Sequence, residues 1–344
     1  MCNDCSMTTS TTTSSSPPAS IKTNMAAIQT APVVNIESLD INALHALPAE
    51  VLLDIIPHIP FSAHGLRCLC LTCARLNTLI RSHENSLVND IKHIQIPQSS
   101  LQLFPSLKTD TFEGLSKLHQ RLSTLDDLHQ QWLQITSNGP ELDWLKGRWE
   151  TIHKTGLLLL YRLQDSGSYC NKVAMLNGLP ATSLACLLFK LISSIKILRI
   201  YGPNPINGNY ASGDIMARSD IELAFEEMLL LHGPTFFLAM LRAKSDRAKT
   251  CQTPSQWAID ALESEVAGMV ERQMPSPEGI PKPPTLTSCM RRAFAAKLGC
   301  HVGQNVGKMW EVLSGTAFDE VDEGKMGLIV RGEEIEKGLR RVFW

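Results

Sequence analysis

From Leu44 to Leu87 the chain reads LHALPAEVLLDIIPHIPFSAHGLRCLCLTCARLNTLIRSHENSL, short apolar stretches interrupted by prolines. Pro48 suits the first turn of a helix, where a missing N–H costs little, and Glu50 lies near that helix's positive end. Val51, Leu52, Leu53, Ile55 and Ile56 follow, and Pro57 and Pro60 stop the helix. Leu66, Leu69, Leu71, Cys73, Leu76, Leu79 and Ile80 then recur at the spacing of one or two further short helices. A bundle of roughly 45 residues is too small to bury a stable core by itself. It leaves apolar surface for something else to cover, so the segment reads as a docking module.

These residues resemble an F-box, the module by which substrate receptors dock on the Skp-type adaptor of SCF ubiquitin ligases. The resemblance is carried by Leu47, Pro48, Glu50, Leu52, Leu53, Ile55, Ile56, Ile59, Leu66, Leu69, Leu71, Cys73 and Leu87. Thr72 stands where the family usually has Val, Leu76 where an aromatic is common, and Val88 where a Trp closes the module. The loop holding Pro57 and Pro60 is one or two residues longer than usual. The resemblance implies adaptor binding through Leu47, Pro48, Glu50, Leu52, Leu53, Ile55, Ile56, Leu66, Leu69 and Cys73. Through the adaptor it implies a cullin scaffold, a protein target and a non-catalytic role. The whole chain, a polar tail and an F-box before a helical body, is similar in style to F-box proteins of filamentous fungi.

The 344 residues carry a net charge of −2, which gives no electrostatic footprint for nucleic acid or an anionic membrane. Residues 1–42 are rich in Ser and Thr and poor in large apolar side chains, the composition of a disordered tail. That tail has no apolar stretch for a signal peptide, and no Arg precedes Arg67, which argues against a mitochondrial leader. Ten cysteines then point to reduced thiols in the cytoplasm or nucleus. Cys2-x-x-Cys5 lies in that tail with no second pair nearby, and Cys70-x-x-Cys73 falls in the predicted F-box helices, where Cys serves as a small hydrophobe. Ala181–Ile200 is long enough to span a membrane, but Lys190, Lys196 and Arg199 interrupt it, and a buried amphipathic helix is expected.

An all-α fold is expected, with the three-helix F-box (43–91) followed by a linker (92–109) and a larger irregular helical domain (110–344). Pro97 and Pro105 mark 94–109 as an extended crossover. Leu115, Leu118, Leu122, Leu125, Trp132 and Ile135 alternate three and four residues apart. Leu142, Leu145, Trp149, Ile152, Leu159 and Leu163 continue that seam after Asn138-Gly139-Pro140, predicting a long antiparallel αα-hairpin. Further helices are expected at 215–231, at 254–273 with Thr253-Pro254 as cap, at 288–298 and at 302–314. Gly233-Pro234 resets the chain, 201–213 forms a loop and 274–287 a proline-rich connector. The ending reads as a short extended piece at Met326–Val330 and a final helix at 333–343.

Phosphate loops, zincin motifs, hydrolase elbows and repeats of 20 to 50 residues are missing, so no cofactor is expected. One pattern offers a remote enzyme alternative. Asp126-x-x-His129 and Glu150-x-x-His153 lie on the two hairpin helices, as ligands do in di-iron bundles, with Glu222, Glu226 or Glu227 as further carboxylates. Heptad phase opposes it, placing only His129 on the seam. The chain is therefore expected to be an SCF substrate receptor, with an adaptor-bound scaffold outside any ligase as the alternative.

Overall fold

Prolines and polar caps cut the chain into many short helices. The computed structural model describes residues 47–138, 140–204, 206–207, 215–246, 255–273 and 283–333, and every regular element among them is helical. The tail at 1–42, most of the 201–213 loop, the Thr253-Pro254 cap, most of the proline-rich connector and the final helix at 333–343 lie outside the described residues. Leu47 is half-buried and Pro48 exposed. The elements from Ala49 onward belong to one compact unit.

The unit opens with α1 (Ala49–Ile55), a 3-10 turn (Ile56–His58), α2 (Ala63–Thr72), α3 (Ala74–Ser82) and α4 (Glu84–Gln95). Ser62 Oγ caps α2 by accepting from the Gly65 N–H at 2.9 Å, and Cys73 Sγ accepts from the Leu76 N–H to start α3. These helices close over a small core of Ile56, Ile80 and Leu87, with Leu53, Leu66, Leu69, Cys70 and Phe112 packed against it.

The stretch expected as a linker is structured. Helix α4 runs past residue 91 to Gln95, α5 (Gln98–Gln102) follows, and Ile91, Leu103 and Phe104 are buried in the large core of the body. Pro97 starts α5 as its N-cap residue instead of holding the chain extended. A boundary drawn at 91 therefore falls inside a helix that serves both cores.

The body comprises α6 (Phe112–Asn138), α7 (Arg148–Asp165), α8 (Tyr169–Gly178), α9 (Ala181–Tyr201), α10 (Ile215–Asp246), α11 (Gln256–Gln273), α12 (Leu286–Leu298), α13 (Asn305–Ser314) and α14 (Glu323–Arg331). The ion pairs Arg121–Asp165 and His129–Glu150 run in opposite chain directions along α6 and α7, and Trp132 meets His153 beside the second pair. The seam from 142 is not one helix. A 3-10 turn at Pro140–Leu145 ends in a break at Gly147, and α7 begins at Arg148.

Helix α9 is the axis of the fold and packs against α7, α10, α12, α13 and α14. It is buried nearly all round, more than the expected amphipathic helix, with Lys196 and Arg199 at the surface and Lys190 fully enclosed. Residues 181–201 and 218–243 are each long and apolar enough to span a membrane, and both are largely buried inside the protein. Trp144, Trp149, Phe189 and Trp310 form an aromatic cluster tying α7 and α9 to α13, with Trp149 and Trp310 centroids 4.8 Å apart.

Helix α10 continues past its expected end at 231 but kinks at Gly233, whose φ of 67° suits glycine, and Pro234 follows it into the next turn. Met326–Val330 is helical, not extended. Asp322 caps α14 by accepting from the Lys325 N–H at 2.8 Å, and Met326, Ile329 and Val330 share its buried face.

Candidate functional site

Two regions carry functional geometry. The first is the outer surface of the N-terminal helices, where α1 is too short to hide both of its faces. Leu52 and Ile56 point inward and are buried, while Val51, Ile55 and Ile59 keep 38%, 45% and 39% of their surface exposed. On α2, Leu71 is 76% exposed. Where the 3-10 turn meets α2, Ile59, Pro60, Phe61, Leu66 and Leu69 line a groove of about 110 Å³.

Of the ten residues expected at the adaptor surface, Pro48, Glu50 and Ile55 are exposed. Leu47, Leu53, Leu66, Leu69 and Cys73 are half-buried, whereas Leu52 and Ile56 belong to the interior. Val51, Ile59 and Leu71 are outward apolar positions absent from that set. For Val51 the signal was the helical phase of α1, which turns Val51 and Ile55 about 100° away from Leu52 and Ile56.

The base of this surface is fixed by Gln95 on α4. Its amide donates to the carbonyls of Pro57 at 2.5 Å and Ile59 at 2.7 Å, and its Oε1 accepts from the Phe61 N–H at 2.8 Å. Glu84 accepts from the Phe112 N–H at 2.8 Å, joining the module to the start of α6. The loop containing Pro57 and Pro60 is thereby tied into the body.

The second region is a pocket of about 170 Å³ between α6 and α7. Leu125, Leu128, Trp132, His153 and Leu157 are buried and form its floor and walls. Asp126, His129, Glu150 and Lys154 stand at its more exposed rim. The structure therefore brings together Asp126, His129, Glu150 and His153, and it reverses the phase expected for the two histidines. His153 is the buried one, and His129 is half-exposed and paired through Nδ1 with Glu150 at 3.2 Å. The break at Gly147 resets the register of α7, so a heptad frame carried through from α6 misassigns it.

Beyond His153 lies a basic group that no sequence motif marks. Lys190 Nζ is 3.1 Å from His153 Nε2 and 3.6 Å from the centre of the Phe237 ring. Ser193 Oγ lies 3.5 Å from His153 Nδ1, and the Trp132 ring packs against the imidazole, tilted 39° with centroids 3.9 Å apart. Burial, with no carboxylate among its partners, drives Lys190 well below the usual lysine range. Burial and the adjacent amine together push His153 well below its ordinary value.

Among the described residues no group of three or more His, Cys, Asp and Glu is arranged to hold a metal ion. The further carboxylates have other partners. Glu222 binds Arg199, Glu226 binds Arg291 at 2.7 Å, and Glu227 accepts from the N–H groups of Leu286 and Thr287 at the start of α12. No family model, curated protein or solved structure matches this chain.

Proposed function

We propose that the N-terminal helices are an F-box and that the chain is a substrate-receptor subunit of an SCF-type ubiquitin ligase. The observation that carries this reading is the outward apolar set Val51, Ile55, Ile59 and Leu71 on a small, body-braced helical module. Singly exposed apolar side chains are ordinary, but several on consecutive short elements of one small module are surface of the kind partners cover. Its position next to the Leu47-Pro48-Ala49-Glu50 opening supports an adaptor as that partner.

On this reading the adaptor connects the chain to the cullin, and the helical body holds a protein target within reach of the ubiquitin-conjugating enzyme. The chain supplies effective concentration and orientation and no nucleophile. Skp-adaptor capture tests it. Ile55→Ala combined with Leu71→Ala should weaken capture at least about thirtyfold, the loss expected for hot-spot anchors, with an unchanged melting temperature. Recovery of the adaptor together with cullin supports the ligase. Recovery of the adaptor alone supports a scaffold role, and failure of the unaltered protein to capture adaptor overturns the assignment.

A further inference from the structure

The pocket between α6 and α7 has no part in adaptor docking. Its floor and rim differ in chemistry in a way that selects a ligand. The buried side is aliphatic and aromatic, from Leu125, Leu128, Trp132 and Leu157. A cavity of about 150 Å³ with aliphatic and aromatic walls admits one benzene molecule. The roughly 170 Å³ here is therefore one aromatic ring in size.

Charge at the rim decides what that ring carries. Lys154 is held by Glu323 on α14 at 3.4 Å, which offsets its cation. Glu150 has the His129 imidazole at 3.2 Å, and Asp126 has no hydrogen bond or ion pair among the described residues. The rim thus holds two carboxylates, Asp126 and Glu150, against one ammonium whose charge Glu323 already offsets. The floor offers nothing to an anion, because both nitrogens of His153 face Lys190 and Ser193 rather than the cavity. Burial disfavours the charged forms of that amine and imidazole, which weakens their repulsion of a cation above them.

We propose that this pocket binds a small arylalkyl ammonium, its single ring between Leu128 and Leu157 and its cationic nitrogen at Asp126 and Glu150. Trp132 bounds the ring site, and its neighbour His153 closes the floor. The two rim carboxylates come from different helices. A bound ammonium would link α6 to α7 where the helices otherwise meet through the His129–Glu150 and Arg121–Asp165 pairs.

Calorimetric titration of the full chain with 2-phenylethylamine, phenylacetate and 2-phenylethanol tests the assignment, because the three share a ring and differ in charge. The amine should bind with the acid at least about tenfold weaker, a difference of about 1.4 kcal/mol. Asp126→Asn, a surface change, should lower amine affinity about tenfold while leaving that for the alcohol unchanged. Leu128→Phe should fill the cavity and abolish binding of both, with circular dichroism confirming that the helices persist. Equal binding of acid and amine, an unaltered response in Asp126→Asn, or no binding of any of the three overturns the proposal. Adaptor capture should be the same in both variants, so this result stands or falls separately from the docking assignment.

Discussion

Lys190 is a costly side chain, a basic group with no exposed surface inside the central helix. The unfolded chain holds a proton on this amine up to about its ordinary 10.5, and the folded chain gives it up well below that. Stability on this account therefore rises with pH toward about 10.5, because burial disfavours the protonated amine in the folded state. Replacing Lys190 alone with Met strands the nitrogen of His153. Replacing His153 alone with Phe strands the amine. Changing both should raise stability by about 1–4 kcal/mol, as when a buried polar pair yields to well-packed apolar groups. Chemical denaturation of the four proteins in that cycle measures it, and a double variant less stable than the natural chain would contradict it. Glu226 has the opposite slope. Burial raises it from 4.5 to about 7 despite Arg291, so the folded state retains a proton that the unfolded chain has released. Stability should fall as pH rises from about 4.5 to about 7 on this account, and Glu226→Gln should flatten that part of the melting-temperature profile.

Helices α7 and α9 approach closely because Gly156 faces Lys190. A Cβ on Gly156 would lie 2.5 Å from Lys190 Cβ and 3.0 Å from the Cys186 carbonyl oxygen. Alanine favours an isolated helix over glycine by about 1 kcal/mol, yet here it must push two buried helices apart. Gly156→Ala should thus destabilise by about 1–3 kcal/mol, read from the denaturation midpoint, and a stabilised variant would show that the crossing is looser than described. Most helices were legible in the sequence because their apolar positions recur at the helical period. The elements misread have local physical causes. Met326–Val330 is a run of apolar and small residues whose helical face shows only once Asp322 is recognised as its cap. The 3-10 turn at Pro140–Leu145 keeps its leucines near the seam spacing while breaking the helix. The outward and inward faces of α1 were open to phase reasoning from Val51 to Ile56. The His153–Lys190 contact was not, since it joins residues 37 apart through a helix crossing no periodicity encodes.

The whole unit is held together where sequence suggested a separation. A polar glutamine at position 95 gives no hint of its role from composition, but it lies on the shared helix α4 and carries three hydrogen bonds to the module's loop. Leu87 on that helix fills the small core and Ile91 the large one, so neither core can lose α4 and remain closed. The N-terminal helices and the body should therefore unfold in one transition. Gln95→Ala removes all three bonds at once and leaves a partly buried carbonyl, an exposed carbonyl and an N–H to find water. At about 0.5–1.5 kcal/mol per bond, with the second and third worth less once the first is gone, a loss of about 1–3 kcal/mol is expected. Far-ultraviolet circular dichroism and tryptophan fluorescence, which comes from residues that all follow α5 in sequence, should report the same midpoint in both proteins, shifted together in the variant. If the N-terminal helices instead melted first, with the tryptophan signal unmoved, α4 would be a tether between independent modules. An adaptor bound at Val51, Ile55 and Leu71 would then have no rigid route to the helical body. In the coupled case, docking at one end fixes the orientation of everything up to α14.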